Sequence, residues 1–193
     1  MAGVNKTTAI HTIISATADQ PVVFTTGYSC RIAKHLADRS NHFYMTGSMG
    51  LAAAIATGIA RATGLAAVAV DGDGSLLMNP TCLVTAGTME HLPLIHVVLD
   101  DASYASTGGQ RTPSAKTDFT DWARACGYPE AFRTSDQEHF SHLLATTLRR
   151  PSPTLIHCAL TGVDDGVPPR IDLDLAVHRE TFTNHIRTTN AVL

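Results

Sequence analysis

Apolar positions along this chain fall into two patterns. Short runs rich in β-branched and other apolar residues predict strands over residues 21–25, 42–45, 65–70, 94–100 and 154–159. Between them, longer stretches with apolar residues at helical spacing predict helices over 7–18, 29–38, 49–62, 79–90, 118–126 and 137–149. The run at 65–70 lacks polar alternation, as a strand of a parallel sheet covered on both faces does. The 49–62 stretch is alanine-rich and interrupted by Gly58, so it reads as a buried helix with Met49 at its start. Asn79 and Pro80 form a helix start, with Asn79 capping the free amides and Pro80 having none to leave unpaired. The 118–126 helix should stop at Gly127. Helix 137–149 presents Phe140, Leu143, Leu144 and Leu148 on one face. Residues 162–170, rich in glycine, proline and aspartate, read as a loop, and a last helix is expected near 175–186. Regular exchange of strand and helix predicts an α/β fold: one parallel sheet with helices on both faces, in a single domain spanning 1–193.

Composition narrows the classes. The chain has 193 residues, 44% hydrophobic and 16% charged, which suits one folded domain with a sizeable core. A formal charge of −3 with no basic run argues against nucleic acid as a partner. No apolar stretch approaches a bilayer span, and the N-terminus lacks a secretory pattern, so a cytoplasmic protein is expected. Cys30, Cys82, Cys126 and Cys158 are widely separated and form no CxxC pair, which fits reduced thiols better than zinc or a redox dithiol. The ten histidines are scattered, with no HExxH.

In open α/β sheets ligands bind at the carboxyl ends of the strands. Four segments are predicted to lie there: Thr26-Gly27, Gly47-Ser48-Met49-Gly50, Gly72-Asp73-Gly74-Ser75 and the loop from Asp100 to Gln110. Glycines let a ligand approach the backbone closely, and helix starts offer free amides. Acidic residues at the ends of two strands, in the runs Asp71-Gly72-Asp73 and Asp100-Asp101, suit a hard divalent cation held against a diphosphate. Rival motifs fail. There is no GxGxxG and no GxxxxGK[ST]. An EF-hand starting at Asp71 would need glycine where Leu76 stands and glutamate where Cys82 stands.

Four blocks carry a family resemblance: residues 43–52 (FYMTGSMGLA), 72–79 (GDGSLLMN), 95–100 (IHVVLD) and 106–110 (STGGQ). In this order they are similar to thiamine diphosphate enzymes, in the branch of phosphonopyruvate decarboxylases and sulfopyruvate decarboxylase β subunits. The likeness covers roughly residues 20–128. It implies thiamine diphosphate and Mg2+ as cofactors. By resemblance, Asp73 is the first metal ligand, Asp101 stands where the second is usually asparagine, and the carbonyl of Ser103 is the third. Gly72, Gly74 and Ser75 match diphosphate contacts, with Gly74 and Ser75 acting through amide and hydroxyl, and Thr26 and Gly27 match contacts from the first strand. The Gly47 carbonyl resembles the acceptor for the cofactor's 4′-amino group, Ser48 belongs to the same segment, and Met49 resembles the wedge that bends the cofactor. Tyr104 joins the cofactor contacts, while Ser106, Thr107 and Arg111 are candidates for the substrate's anionic end. Arg31 and Lys116 are weaker ones. Replacing Asp101 with asparagine is expected to preserve or tighten cofactor binding.

The resemblance further implies non-oxidative decarboxylation of a 2-oxo acid, phosphonopyruvate or sulfopyruvate, releasing CO2 and an aldehyde. Such chemistry needs a glutamate beside the cofactor's pyrimidine ring, and Glu90, Glu130, Glu138 and Glu180 all lie away from the matching blocks. Single-chain members carry an additional N-terminal domain of similar size. The chain is therefore expected to work with a pyrimidine-side α subunit in a hetero-oligomer such as α2β2. The alternatives are a carboligase or acyl-transfer enzyme, or a noncatalytic cofactor-binding subunit.

Overall fold

A computed structural model describes residues 3–164 and 166–191. Six parallel strands form one sheet: β1 (Val22–Phe24), β2 (His42–Tyr44), β3 (Ala67–Gly72), β4 (Leu94–Asp100), β5 (Glu130–Thr134) and β6 (Thr154–Ala159), ordered β2-β1-β3-β4-β6-β5. Among the described residues eight α-helices cover it: α1 (Lys6–Ala16), α2 (Tyr28–Leu36), α3 (Ala52–Thr63), α4 (Asp73–Met78), α5 (Thr81–Gly87), α6 (Phe119–Ala125), α7 (Gln137–Arg149) and α8 (Leu175–Asn190).

Alternate residues of each strand enter opposite cores. Val22, Phe24, Val68, Val70, Ile95, Val97 and Leu99 meet the apolar faces of α1, α2 and α7. On the other face Val23, Ala67, Ala69, Leu94 and Val98 meet α3, α5 and α6. Small residues decide the second contact. Ala52, Ala53, Ala56 and Ala60 of α3 are buried in the same core as Ala67 and Ala69, which lets the helix approach the sheet closely.

Several boundaries differ from the expected ones. Strand β3 continues through Asp71 and Gly72 because its ladder with β4 runs on to the Gly72–Leu99 pair. The expected helix over 79–90 is the shorter α5, Thr81–Gly87, and a further helix, α4, precedes it, starting inside the acidic run at Asp73. Asn79 ends α4 rather than capping α5: its Nδ2 donates to Gly50 O (2.9 Å) and its Oδ1 accepts from Thr81 Oγ1 (2.6 Å). Pro80 has no amide to continue the ladder and breaks the two helices apart. Met49 lies in the turn before α3, not in it. Strand β5 was not foreseen; it is an edge strand whose Ala131 and Thr134 alone are buried. Gly127 ends α6 as expected, at φ +102° and with its backbone against Gly87.

The tail docks on the opposite edge. His178 of α8 stacks on Phe43 and Tyr44 and accepts the Tyr44 amide at Nε2 (3.0 Å), while Phe182 packs against Phe43. Among the described residues no helix is long and apolar enough to cross a membrane.

Candidate functional site

From β1 the chain passes to β2 on one side and, after a crossover, to β3 on the other. The crevice between the carboxyl ends of β1 and β3 is therefore a topological switch point, where open α/β sheets take ligands. A narrow cleft lies there, lined by Lys6, Thr25, Thr26, Met49, Gly72, Asp73, Gly74, Ser75, Asp101, Ser103, Tyr104 and Ser106, among others. It adjoins a cavity of about 440 Å3 whose walls include Thr26, Gly27, Gly47, Ser48, Met49, Ser106, Thr107 and Arg170. Thr26, Met49 and Ser106 belong to both. Every site residue expected from the sequence lines one of these two spaces except Arg111 and the weaker candidate Lys116. The Arg111 side chain is exposed, and its backbone pairs with Ser103 in closing the 103–111 loop. Arg111 is thus set aside as a substrate contact.

A buried hydrogen-bond network sets the cleft floor. Ser75 Oγ donates to Asp71 Oδ1 (2.5 Å) and accepts from the Gly50 amide (3.0 Å). With the Ser75 proton committed, Thr25 Oγ1 is the donor in its 2.8 Å contact with Ser75. His96 Nε2 donates to Asp71 Oδ2 (3.0 Å). The network locks the loops after β1, β2 and β3 to one another through a single aspartate. It also corrects one expectation: the Ser75 hydroxyl, expected at a diphosphate, is here committed to Asp71, Thr25 and the Gly50 amide.

The acidic residues divide by environment. Asp73 is buried, and its Oδ2 accepts a short hydrogen bond from Thr112 Oγ1. Burial pushes its carboxyl up to about 6 against the lowering pull of Thr112, with Asp100 and Asp101 adding to the rise. A bound cation reverses that logic by favouring the carboxylate. Asp100 accepts from His157 Nε2 (2.8 Å), Ser114 Oγ (2.8 Å) and the Ala102 amide (2.9 Å). Burial raises its carboxyl, but these donors outweigh it and hold it below its ordinary value. Asp101 Oδ2 accepts from Lys6 Nζ at 2.6 Å, whereas its Oδ1 is buried with no partner.

That orphaned oxygen sits on the strand end neighbouring Asp73. Among the described residues no three His, Cys, Asp or Glu side chains are grouped to hold a metal by themselves. Two carboxylates and carbonyls leave positions for phosphate oxygens and water, the donor set Mg2+ prefers when it bridges protein and phosphate.

The cleft walls are shaped for close approach. A Cβ on Gly74 would collide with the Tyr104 ring and press on the Met49 methyl, so both side chains pack over this glycine. Gly27 adopts φ +102° before α2, and a side chain there would meet Ser106 Oγ. Ser48 and Ala102 hold left-handed backbone (φ 55° each) in the two loops that flank the cleft, an unfavourable state that packed surroundings must maintain. At Ala102 the Asp100 carboxylate does so. The 103–111 loop is a closed turn rather than a loose one: Tyr104 N donates to Gln110 O, and Thr107 N and Gly109 N donate to Tyr104 O.

Two cations went unseen in the sequence. Lys6 lies on the first turn of α1, far along the chain from Asp101, and Arg170 lies in a proline-rich loop; neither has a local signature. Arg31 holds that loop by donating to the carbonyls of Pro168 and Pro169, which accounts for its own guanidinium. None of the four glutamates lines either space.

The chain resembles known proteins in sequence and in fold. The family "Thiamine pyrophosphate enzyme, C-terminal TPP binding domain" matches residues 25–158. The phosphonopyruvate decarboxylase of Streptomyces viridochromogenes is 45% identical over 150 residues, covering 77% of this chain but only 38% of that protein. The sulfopyruvate decarboxylase β subunit of Methanothermobacter thermautotrophicus is 35% identical over 179 residues, 93% of this chain and 94% of that one. A Mycobacterium smegmatis structure described as a thiamin diphosphate-dependent enzyme superposes with a TM-score of 0.64 at 24% identity, over 79% of this chain and 31% of that one, and shows the shared fold. The chain thus belongs to the thiamine pyrophosphate enzyme family, as its C-terminal TPP-binding domain, and is related to the phosphonopyruvate decarboxylases and sulfopyruvate decarboxylase β subunits.

Proposed function

We propose that this chain is the diphosphate-binding subunit of a thiamine diphosphate- and Mg2+-dependent 2-oxo acid decarboxylase acting on phosphonopyruvate or sulfopyruvate. The observation that carries the reading is the pairing of Asp73 with the unpartnered Asp101 Oδ1 at adjoining strand ends, beside a glycine packed under Tyr104 and Met49. Asp73, Asp101 and the Ser103 carbonyl hold the cation. Thr26, Gly27, Gly72, Gly74 and the Ser75 amide hold the diphosphate, Tyr104 closes over it, and Met49 supports the bend between the two rings. The Gly47 carbonyl, at an open wall of the larger cavity, accepts from the aminopyrimidine. Bound there, the cofactor supplies the electron sink for decarboxylation. The protein orients it and keeps the reacting end dry. Ser106, Thr107 and Arg170 face the larger cavity, where Arg170 offers a charge to a phosphonate or sulfonate.

No glutamate reaches the site, and a relative named as a β subunit matches nearly its whole length, so the reading includes a pyrimidine-side partner in a hetero-oligomer. The test is copurification with that partner followed by assay of CO2 and aldehyde from both substrates. Release of phosphonoacetaldehyde or sulfoacetaldehyde by the pair, and none by the chain alone, is expected. Full turnover by the chain alone removes the partner; ligation or acyl-transfer products instead of aldehyde remove the decarboxylase.

A further inference from the structure

The cleft concentrates negative charge. Asp73, Asp100 and Asp101 all stand at the ends of β3 and β4, and a diphosphate adds more. The ammonium of Lys6 meets this cluster directly. Its side chain is nine-tenths buried, lines the narrow cleft and bonds Asp101 Oδ2 at 2.6 Å. We propose that Lys6 is a positioning residue of the metal–diphosphate site: it neutralises and orients Asp101 so that a carboxylate serves there as a cation ligand. This inference rests on the reading of the site given above.

Three observations support it. Taking an ammonium and a carboxylate largely out of water is unfavourable unless they pair well, and with the Lys6 and Asp101 side chains only 10% and 27% exposed the pair calls for a reason other than stability. Here the pairing is one-sided, because Lys6 takes Oδ2 and leaves Oδ1 buried and unpartnered. A carboxylate so held presents its second oxygen in one orientation. Finally, the chain fixes where Lys6 stands. Asn5 and Thr8 close a capping box at the start of α1, Asn5 Nδ2 donates to Val163 O, and the Thr7 amide donates to Asp164 Oδ1. The amides of Thr161 and Gly162, just after β6, both donate to Val4 O (2.9 Å). The α1 start is therefore tied to the far side of the same sheet end as the cleft, and the lysine arrives at Asp101 from a segment outside the family match at 25–158.

A double-mutant cycle tests the coupling. Thiamine diphosphate is titrated calorimetrically at saturating Mg2+ into the enzyme assembled with its partner subunit, as wild type, Lys6→Met, Asp101→Asn and the double variant. Lys6→Met, which strands an uncompensated carboxylate beside the diphosphate, is expected to weaken binding at least tenfold. Asp101→Asn is expected to bind as well as wild type or better, and the double variant within about threefold of it. Lys6→Arg keeps the charge and is expected to restore most of the affinity. A pair serving only the fold would shift the unfolding temperature in each single variant while leaving the dissociation constant of the folded protein alone. Lys6→Met binding within twofold of wild type, or a strictly additive double variant, overturns the proposal. Should Lys6→Met not fold, a Lys6→Arg variant with wild-type affinity still supports it, and one that binds tenfold worse despite the retained charge overturns it. Failure of the wild-type assembly to bind thiamine diphosphate at all would instead remove the site reading on which the inference stands.

Discussion

The two ends of the cleft are built differently. At the β3–β4 end nearly every polar group is committed: Asp71 to Ser75 and His96, Asp73 to Thr112, Asp100 to His157, Ser114 and the Ala102 amide. At the other end Gly47 has nothing within 4 Å of where a Cβ would stand, and the larger cavity opens between Ser48, Thr107 and Arg170. The β3–β4 end is preorganised by the sheet, so its geometry exists before a ligand arrives. The open end is less committed, with the cavity reaching solvent-exposed Ser48, Thr107 and Arg170. Rigidity is thus placed at the β3–β4 end, where the proposed cation and diphosphate would need fixed donors, and space at the end proposed to admit substrate and a second subunit.

Removing the aspartate under the rigid end should have the largest effect. Asp71→Ala strands the Ser75 hydroxyl, the Thr25 hydroxyl and His96 in a dry core, and a loss of about 3 kcal/mol is expected. Chemical denaturation should show it as a lower midpoint with the slope unchanged. A drop below about 1 kcal/mol would mean the network does not organise the cleft.

A probe away from both ends comes next. Burial lowers the His42 imidazole to about 4, with the Ala37 carbonyl pulling the other way. Its proton is therefore held more weakly in the folded chain than in the unfolded one, whose imidazole keeps the ordinary value of 6.5. Stability from this group is present above pH 6.5 and is lost as pH falls through 4, by an amount of order 2–3 kcal/mol. Denaturation curves between pH 7 and 4 should be flatter for His42→Gln than for wild type. Equal slopes would assign the acid sensitivity elsewhere, the buried carboxylates of the rigid end included.

The smallest effect on stability is expected at the open end. Arg170→Ala should change the unfolding free energy by no more than about 0.5 kcal/mol, as exposed substitutions do. In the assembled enzyme it should raise KM for the anionic substrate while leaving the unfolding midpoint in place. A large stability loss would blur the contrast between the two ends, and an unchanged KM would remove Arg170 from substrate binding.

Some of this was legible in the residues themselves. Helix α7 and strand β6 fall at the residues expected, because Asp136 caps one with its side chain on the His139 amide and the other is an apolar run bounded by proline and glycine. The residues of the acidic run were found as a group, yet α4 within it was missed, since Gly-Asp-Gly-Ser reads locally as a turn. Strand β5 was missed because an edge strand with Glu130 and Arg133 lacks a buried-strand pattern. Arg111 stands in sequence just past the Gly108-Gly109-Gln110 run, a neighbourhood that the closed 103–111 loop does not convert into proximity to the cavity.

By itself, then, the sequence determined the class of the fold and which glycines and aspartates gather at the strand ends, because hydrophobic period and turn chemistry act over a few residues. The tertiary structure alone decided the partners of those groups: Lys6 on Asp101, Ser75 turned to Asp71, Arg170 over the open cavity. Such pairings depend on where distant segments meet in space, and a buried charge or hydroxyl takes its role from whatever the packing brings against it.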